Sequence, residues 1–251
     1  MNPIVTIARN ESTQMLMSRR GLLWLLTFSG LLSTFSLLLV SNTELSLLDN
    51  AQVLTMMAGT VLAAGALLAA ILGSDAYAGE KERGTLIPLL CAPIVPDALL
   101  AGKAIGLLAA WGVMFMMSIP YLWAVGASGQ NLGAAVFYLA LFGTPVVLGF
   151  GYLAMAMSAR TGSVMTSLLI SATVLMLAAS PLLIGPGLRS TAIGRGLDTI
   201  NPLAGALNTF DSVIIDSDPF ATQATRLILV AAWLLICRLA ARRSVGRPAF
   251  Q

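Results

Sequence analysis

The chain has 251 residues and a formal net charge of +3; 57% of its residues are hydrophobic and only 10% are charged. Soluble domains carry roughly 25% charged residues, so this composition excludes an ordinary soluble protein and predicts a membrane protein. Histidine is absent from the sequence, which removes the commonest metal ligand, general base and pH switch of proteins.

Six apolar stretches follow one another along the chain. A helix rises about 1.5 Å per residue, so about 20 residues cross a hydrocarbon core that is about 30 Å thick. We therefore predict an all-α integral membrane protein with six transmembrane helices, in which residues 1–251 form a single transmembrane domain. The predicted spans are Gly21–Val40, Val53–Gly73, Ala104–Val125, Leu132–Met157, Val164–Ile184 and about Ala221–Ala241.

The basic residues predict the orientation of these spans. With the N-terminus inside, eleven of the 14 lysines and arginines fall in inner segments, and only Arg189, Arg195 and Arg226 fall in outer ones. Inner loops of membrane proteins carry an excess of basic residues. Both termini and the link between the second and third spans are therefore expected on the cytoplasmic side.

The segment before the first span, Pro3–Arg20, is predicted to form a helix that lies flat at the membrane interface. Its apolar residues share one face, which is typical of an interfacial helix. The first span is as long as a bilayer is thick, so we expect a retained helix and not a cleaved signal peptide, whose apolar run is shorter. The face contains Ile4, Ile7, Ala8 and Met15.

A dense charged segment lies between the second and third spans, where Glu80–Arg83 read Glu-Lys-Glu-Arg. Gly79 and Gly84 flank this run and are predicted to supply sharp turns. Thr85 is predicted to cap a short helix that follows. That helix is too short to cross a membrane, so its apolar face is available for another contact. The apolar face would contain Leu86, Leu89 and Leu90.

The spacing Gly-Glu-x-x-x-Gly-Thr-Leu-x-x-Leu-Leu-x-x-Pro, followed by Leu-x-Gly-Lys, resembles the type-2 class of ABC transporter permeases. The pattern covers Gly79–Lys103, and the six-span layout extends the resemblance to the whole length. The resemblance implies that this segment is a cytoplasmic coupling helix, which docks on a separate ATPase subunit. The docking residues that it implies are Glu80, Glu82, Arg83, Gly84, Thr85, Leu86 and Leu89.

Other positions support or depart from this resemblance. The N-terminal stretch Ile-Ala-Arg-Asn-Glu is similar to the elbow helix of the family, with Asn10 where a lysine is usual. Ile87 stands where an acidic residue is usual, and Pro88 where a leucine is common. Val95-Pro96 replaces a frequent Ser-Arg. These departures concern the details of the docking contact and not the position of the segment.

The outer segment between the fifth and sixth spans, Gly185–Phe220, is predicted to contain a short helix. Asn201 can cap this helix, with Pro202 at its first position. The family resemblance leads us to expect an interfacial or re-entrant helix here, and a plain surface helix that caps the bundle is the alternative. Its apolar stripe would contain Leu203, Leu207, Phe210 and Ile214.

The sixth span is the least regular, because Arg226 and Arg238 bracket only eleven apolar residues. Snorkelling of both side chains towards opposite interfaces would let a helix of about 20 residues cross. A short, tilted helix packed against the others is the alternative. Basic residues near the span ends are predicted to anchor the bundle at the membrane interface. The predicted anchors are Arg19, Arg20, Lys103, Arg226 and Arg238.

The sequence lacks the groups that would energise transport. No charged residue lies deep within the first five spans, which argues against coupling to protons or sodium ions. The only Gly-Lys pair, Gly102–Lys103, has Asp97 and Ala104 where a phosphate-binding loop needs glycine and a hydroxyl residue. ATP and Mg²⁺ are therefore expected on a partner subunit, and we predict no catalytic residue, metal or cofactor in this chain.

Two other kinds of chemistry receive little support. An intramembrane protease would need histidine as a metal ligand or as a base. Methionines in the spans would suit a path for a soft metal such as Cu(I), but methionine also fills gaps in apolar packing. We expect the packing role.

Together, the residues and the resemblance predict a permease subunit of an ATP-driven ABC transporter, an exporter in a bacterial inner membrane. The resemblance implies a homodimer of permeases with two copies of the ATPase subunit; no nucleic acid is expected as a partner. The small size and short outer loops are similar to permeases of nitrous oxide reductase maturation, and the cargo stays open. The alternative is a non-transporting membrane anchor for an ATPase-driven assembly or maturation machine. An uncoupled channel is disfavoured because no polar stripe runs through any span.

Overall fold

A computed structural model describes residues 3–17, 19–41, 50–86, 95–126, 131–183, 191, 194, 196 and 199–246. Every regular element within these residues is helical, as predicted. We number the eight principal helices in these ranges α1 to α8 in chain order. They are α1 (Pro3–Met17), α2 (Arg19–Ser41), α3 (Asn50–Glu82), α4 (Pro96–Gly126), α5 (Leu132–Arg160), α6 (Val164–Ala179), α7 (Pro202–Phe210) and α8 (Phe220–Val245).

Five helices in the described ranges, α2, α3, α4, α5 and α8, are long and apolar enough to cross a membrane. They correspond to the first four predicted spans and to the sixth. The fifth predicted span corresponds to α6, whose α-helical part has only 16 residues. A 3-10 turn, Ser180–Leu183, continues it, and Ile184 lies outside the described residues. By length and composition, the structure therefore supports five spans.

Helices α3 and α4 extend beyond the predicted spans at the end where the chain connects them. We predicted that the second span ends at Gly73 and that the third begins at Ala104. Instead, α3 continues to Glu82 and α4 begins at Pro96. Glu, Lys and Arg are good helix formers, so a charged run does not end a helix; where the membrane-spanning parts of α3 and α4 end stays a prediction. We call this end of the bundle, where α3 ends and α4 begins, the charged end.

Helices α3 and α5 cross at very short distance. A Cβ atom added to Gly73 of α3 would lie 2.7 Å from the backbone oxygen of Gly151 and 2.7 Å from Cβ of Ala154. Buried apolar side chains of both helices continue the contact on either side of this crossing. Small residues therefore bring the two backbones into contact, as they do in other membrane helix pairs.

Helix α1 packs across α4 near the charged end. A Cβ atom added to Gly102 would lie 2.5 Å from Cγ2 of Ile7, and one added to Gly106 would lie 2.8 Å from Cβ of Glu11. Ala8 is buried on the same side of α1. A helix is thus present where we predicted the N-terminal one, and part of its apolar face packs on α4. Its position at a membrane interface stays a prediction.

Helix α7 is the short helix that we predicted in the last long connection. The side-chain oxygen of Asn201 accepts hydrogen bonds from Leu203 N at 2.9 Å and from Ala204 N at 3.2 Å. Pro202 occupies the first helical position, so the predicted cap is confirmed. Phe210 and Ile214 of the predicted stripe are buried with Leu203 in the core. The interfacial or re-entrant position of α7 stays a prediction.

Candidate functional site at the charged end

The tip of α3 ends in a Schellman turn, which is the usual glycine-dependent end of a helix. Gly84 has a φ angle of +69°; its N–H donates to Lys81 O at 3.1 Å, and Thr85 N donates to Glu80 O at 3.0 Å. This pair of bonds defines the motif, with the left-handed glycine just after the helix. The turn predicted at Gly84 is therefore present. The hydroxyl of Thr85 contacts the Glu80 carboxylate. The helix that Thr85 was predicted to cap lies outside the described residues, so this cap stays a prediction.

Replacing Gly84 with alanine is expected to destabilise this tip by about 1 kcal/mol. An added Cβ would meet no atom of the described residues within 4 Å, so the expected cost is that of the left-handed backbone, which L-residues other than Asn and Asp avoid. Gly84→Asn is the matched variant and should cost less. Unfolding by sodium dodecyl sulfate in mixed micelles measures both changes, and equal stability of G84A and the wild type would contradict the assignment.

Gly79 does not supply the sharp turn that we predicted, because it lies inside α3. An added Cβ would lie 2.2 Å from Oδ1 of Asp75 and 2.4 Å from Nη2 of Arg83. Arg83 folds back along the helix over this gap and pairs with Asp75 at 2.8 Å. The two side chains are 51% and 41% exposed, so solvent screening leaves the pair little effect on stability. Gly79 therefore makes room for this surface ion pair.

Lys81 and Glu82 join the tip of α3 to the facing ends of α5 and α6. Lys81 Nζ donates to Ala159 O at 2.7 Å and to Thr161 O at 3.0 Å. Glu82 Oε1 accepts from Val164 N at 2.8 Å. Lys81 places a cation at the carbonyl end of α5, and Glu82 places an anion at the amide end of α6. Each charge interacts favourably with the dipole of the helix that it contacts. The charged run therefore holds three helices together, in addition to facing solvent.

Lys103 is buried, which contradicts its predicted role as an anchor at the lipid headgroups. Its side chain is 1% exposed, and Nζ lies 2.6 Å from Oε1 of Glu11 on α1 and 3.8 Å from Oε1 of Glu80 on α3. The ammonium also lies 5.5 Å from the ring centroid of Tyr77. Close packing of α1 over Gly102 and Gly106 covers it, so Lys103 ties α1, α3 and α4 together.

The other predicted anchors have different surroundings. Nη1 of Arg226 donates to Asn208 O at 3.0 Å, to Ser212 Oγ at 3.0 Å and to Gln223 Oε1 at 2.7 Å, which ties α8 to the last turn of α7 and to the chain just after it. Arg238 is exposed on α8. Arg19 and Arg20 lie in the first turn of α2. For these four residues, anchoring at a membrane interface stays a prediction.

The predicted docking residues separate into exposed and buried positions. Leu86 is only 6% exposed and belongs to the hydrophobic core, so it does not present the free apolar surface that we predicted. Leu89 and the rest of the predicted coupling helix, residues 87–94, lie outside the described residues. Glu80 is partly buried. The exposed docking candidates in the described part of the tip are Glu82, Arg83, Gly84 and Thr85.

A cleft of about 1180 Å³ opens beside the charged end. Apolar side chains contribute to its lining, including Trp24 of α2, Leu72 of α3 and Leu168 of α6. Four carboxylates and two basic groups also line it. A lining that combines apolar and charged side chains is suited to an amphipathic molecule. The charged lining residues are Glu11, Asp75, Glu80, Glu82, Arg83 and Lys103.

Sequence reasoning missed two residues that shape this end. Asp75 lies two helical turns before Arg83, so its charge was a signal that could have placed it on the same face once α3 was extended. Ser158 is buried between α3 and α5. Nothing in the sequence distinguishes it from other serines of membrane helices. Only the packing of the helices identifies it.

Comparison with known proteins relates the whole bundle to one family. A family model described as ABC-2 family transporter protein matches residues 5–243. A comparison with curated proteins finds no match. The family match extends from α1 into α8 and includes the charged end, so it does not rest on a local motif.

Proposed function

Because the chain belongs to the ABC-2 family of transporter proteins, we propose that its charged end docks on a separate ATPase subunit and transmits ATP-driven movement to the bundle. The chain is a multi-pass membrane protein and the membrane subunit of a transporter, not its ATPase. The family implies an ABC ATPase partner in general. What we propose beyond this is the place of contact and the route of the movement.

The observation that carries the proposal is the length of α3. Its 33 residues correspond to about 50 Å of helix, whereas the hydrocarbon core is about 30 Å thick. A helix of this length extends beyond the hydrocarbon core, and its charged end presents Glu82, Arg83, Gly84 and Thr85 at the surface. Exposed mixed charges on a rigid support suit a polar protein interface. The positive-inside pattern supports a cytoplasmic position for this end.

We propose that α6 is a sixth span. Its 16 α-helical residues and the 3-10 turn that follows, four residues long, together reach about 32 Å. This length matches the hydrocarbon core, although the α-helical part alone does not. With six spans, both termini lie on the cytoplasmic side with the charged end.

The assembly and direction that we propose follow the sequence expectations: two permease copies, two ATPase copies and outward transport across a bacterial inner membrane. The cleft supports a transporter over a purely mechanical anchor, because it opens beside the charged end and offers space for a molecule. An anchor would need no such space. The cargo, including any relation to nitrous oxide reductase maturation, stays open.

A charge-removing variant tests the docking site. In Glu82→Gln/Arg83→Gln, the glutamine oxygen at position 82 can still accept the hydrogen bond of Val164 N, so the cap of α6 is retained. The lost Arg83–Asp75 pair is exposed and contributes little stability. We expect the amount of ATPase subunit that co-purifies with the tagged chain from its native membrane to fall about tenfold or more.

The control variant is Asp97→Asn/Arg242→Gln, which removes another exposed ion pair from the charged end, with its atoms 2.7 Å apart. It should retain the ATPase subunit at the level of the wild type. Equal loss in both variants would mean that the general charge of this end, and not the tip of α3, holds the partner. Recovery of no ATPase with the wild type would contradict the proposed function itself.

A further inference from the structure

Ser158 of α5 inserts its hydroxyl group into the backbone of α3. Its Oγ accepts hydrogen bonds from Ala78 N at 2.8 Å and from Tyr77 N at 3.0 Å. The same hydroxyl donates to Ser74 O at 2.7 Å. Ser158 is completely buried. One side chain of α5 therefore contacts three backbone groups of α3.

The close crossing of the two helices makes this contact possible. Ser158 follows Ala154 by four residues, which is about one turn, and therefore lies on the same face of α5. Ala154 and Gly151 touch α3 at Gly73, directly before Ser74. A serine side chain is short, and it reaches the backbone of a neighbouring helix only where the two backbones nearly touch.

The three contacts fall at one turn of α3 that separates two parts of the helix. Ser74 O and Ala78 N stand four residues apart and are the normal partners of one another in a helix. Residues before this turn form the apolar span, and residues after it carry the tip. Ser74 Oγ also donates to Ser171 Oγ of α6 at 3.2 Å.

We propose that Ser158 is a positioning residue that clamps the tip-bearing end of α3 to α5, so that force applied at the tip moves α5 and α6 together with α3. The proposal rests on the proposed function for the origin of that force, and on the hydrogen bonds of Ser158 for its transmission. Lys81 and Glu82 form a second tie to the same two helices, between one and two turns nearer the tip. Between these ties, α3, α5 and α6 form one unit at the charged end.

The test compares Ser158→Ala with Ser167→Ala. Ser167 is also buried, but its hydroxyl has no hydrogen-bond partner among the residues that the structure describes, so S167A removes a buried serine hydroxyl without removing a clamp. The first measurement is hydrogen exchange of the purified full chain in lipid nanodiscs. We expect amides in the last two turns of α3 to exchange about tenfold faster in S158A and at the wild-type rate in S167A.

The second measurement follows movement in the complex with its ATPase. Spin labels are attached to cysteines introduced by Met17→Cys and Met165→Cys, at two exposed positions that line the cleft. Cys91 and Cys237 are replaced by alanine so that only these two positions are labelled. ATP with vanadate should change the distance between the labels in the wild type and in S167A. In S158A we expect less than half of this change, whereas the amount of ATPase subunit recovered stays the same because the docking residues are intact.

The outcomes separate this inference from the proposed function. Wild-type exchange in α3 and a wild-type distance change in S158A would overturn the clamp, even with an ATPase subunit bound. If the wild type recovers no ATPase subunit, the proposed function fails, and the exchange rates alone still decide whether Ser158 clamps α3. Should S158A fail to fold, Ser158→Cys has a similar shape with a much weaker hydrogen-bonding group, and in the chain without spin labels the same faster exchange is expected of it.

Discussion

Lys103→Met is expected to lower the free energy of unfolding by about 2–3 kcal/mol, because it leaves two partly buried carboxylates without their cation. Glu11 is only 14% exposed, and Glu80 is 23% exposed. In the wild type both face the ammonium of Lys103. Removing one partner of a buried pair is costly, since the remaining charge is still desolvated and no longer has an opposite charge that compensates for this.

The double variant Glu11→Gln/Lys103→Met separates the charge from the packing. A buried ion pair that is replaced as a whole by neutral groups is often nearly neutral for stability, so the double variant should recover more than half of the loss in K103M. The unfolding midpoint in sodium dodecyl sulfate, followed by the fluorescence of the four tryptophans, measures all variants. Stability of K103M within about 0.5 kcal/mol of the wild type would contradict the role of the pair.

The sequence predicted the helices of the core reliably, because hydrophobic length is a strong signal and lipid demands satisfied backbones. It also predicted two local features from single residues: the cap at Asn201 and the turn at Gly84. Both depend on the chemistry of the residue itself. The cap needs the short hydrogen-bond-accepting side chain of Asn201, and the turn needs a residue without a Cβ atom at position 84. Neighbouring helices were not needed to predict them.

The same reasoning failed where a residue acts through a neighbour in space. Lys103 at the end of an apolar run looked like a lipid anchor, and only the packing of α1 over Gly102 and Gly106 shows that it is buried. Gly79 looked like a turn residue, although it makes room for a side chain within a helix. Ser158 carried no signal at all. These roles depend on which helices meet, and one sequence without its fold does not contain that information.

Gly73→Ala is expected to be among the most damaging single-methyl additions in the chain. The new Cβ would lie 2.7 Å from a backbone oxygen of α5 and 2.7 Å from the Cβ of Ala154. Neither neighbour can rotate away, because both are fixed by the helix backbone. We expect a loss of about 2–3 kcal/mol, towards the upper end of the cost of overpacking a core.

Gly112→Ala of α4 is the matched control, because an added Cβ there meets no atom within 4 Å in the described part of the chain. In a helix interior, alanine is favoured over glycine by about 0.5–1 kcal/mol, so G112A should stabilise the chain while G73A destabilises it. The same detergent-unfolding assay gives both signs, and a neutral or stabilising G73A would contradict the close crossing. Because Ser158 reaches α3 only at this crossing, G73A should also speed hydrogen exchange in the last two turns of α3, and G112A should not. A destabilised G73A with wild-type exchange in those turns would mean that the crossing and the Ser158 contact are independent.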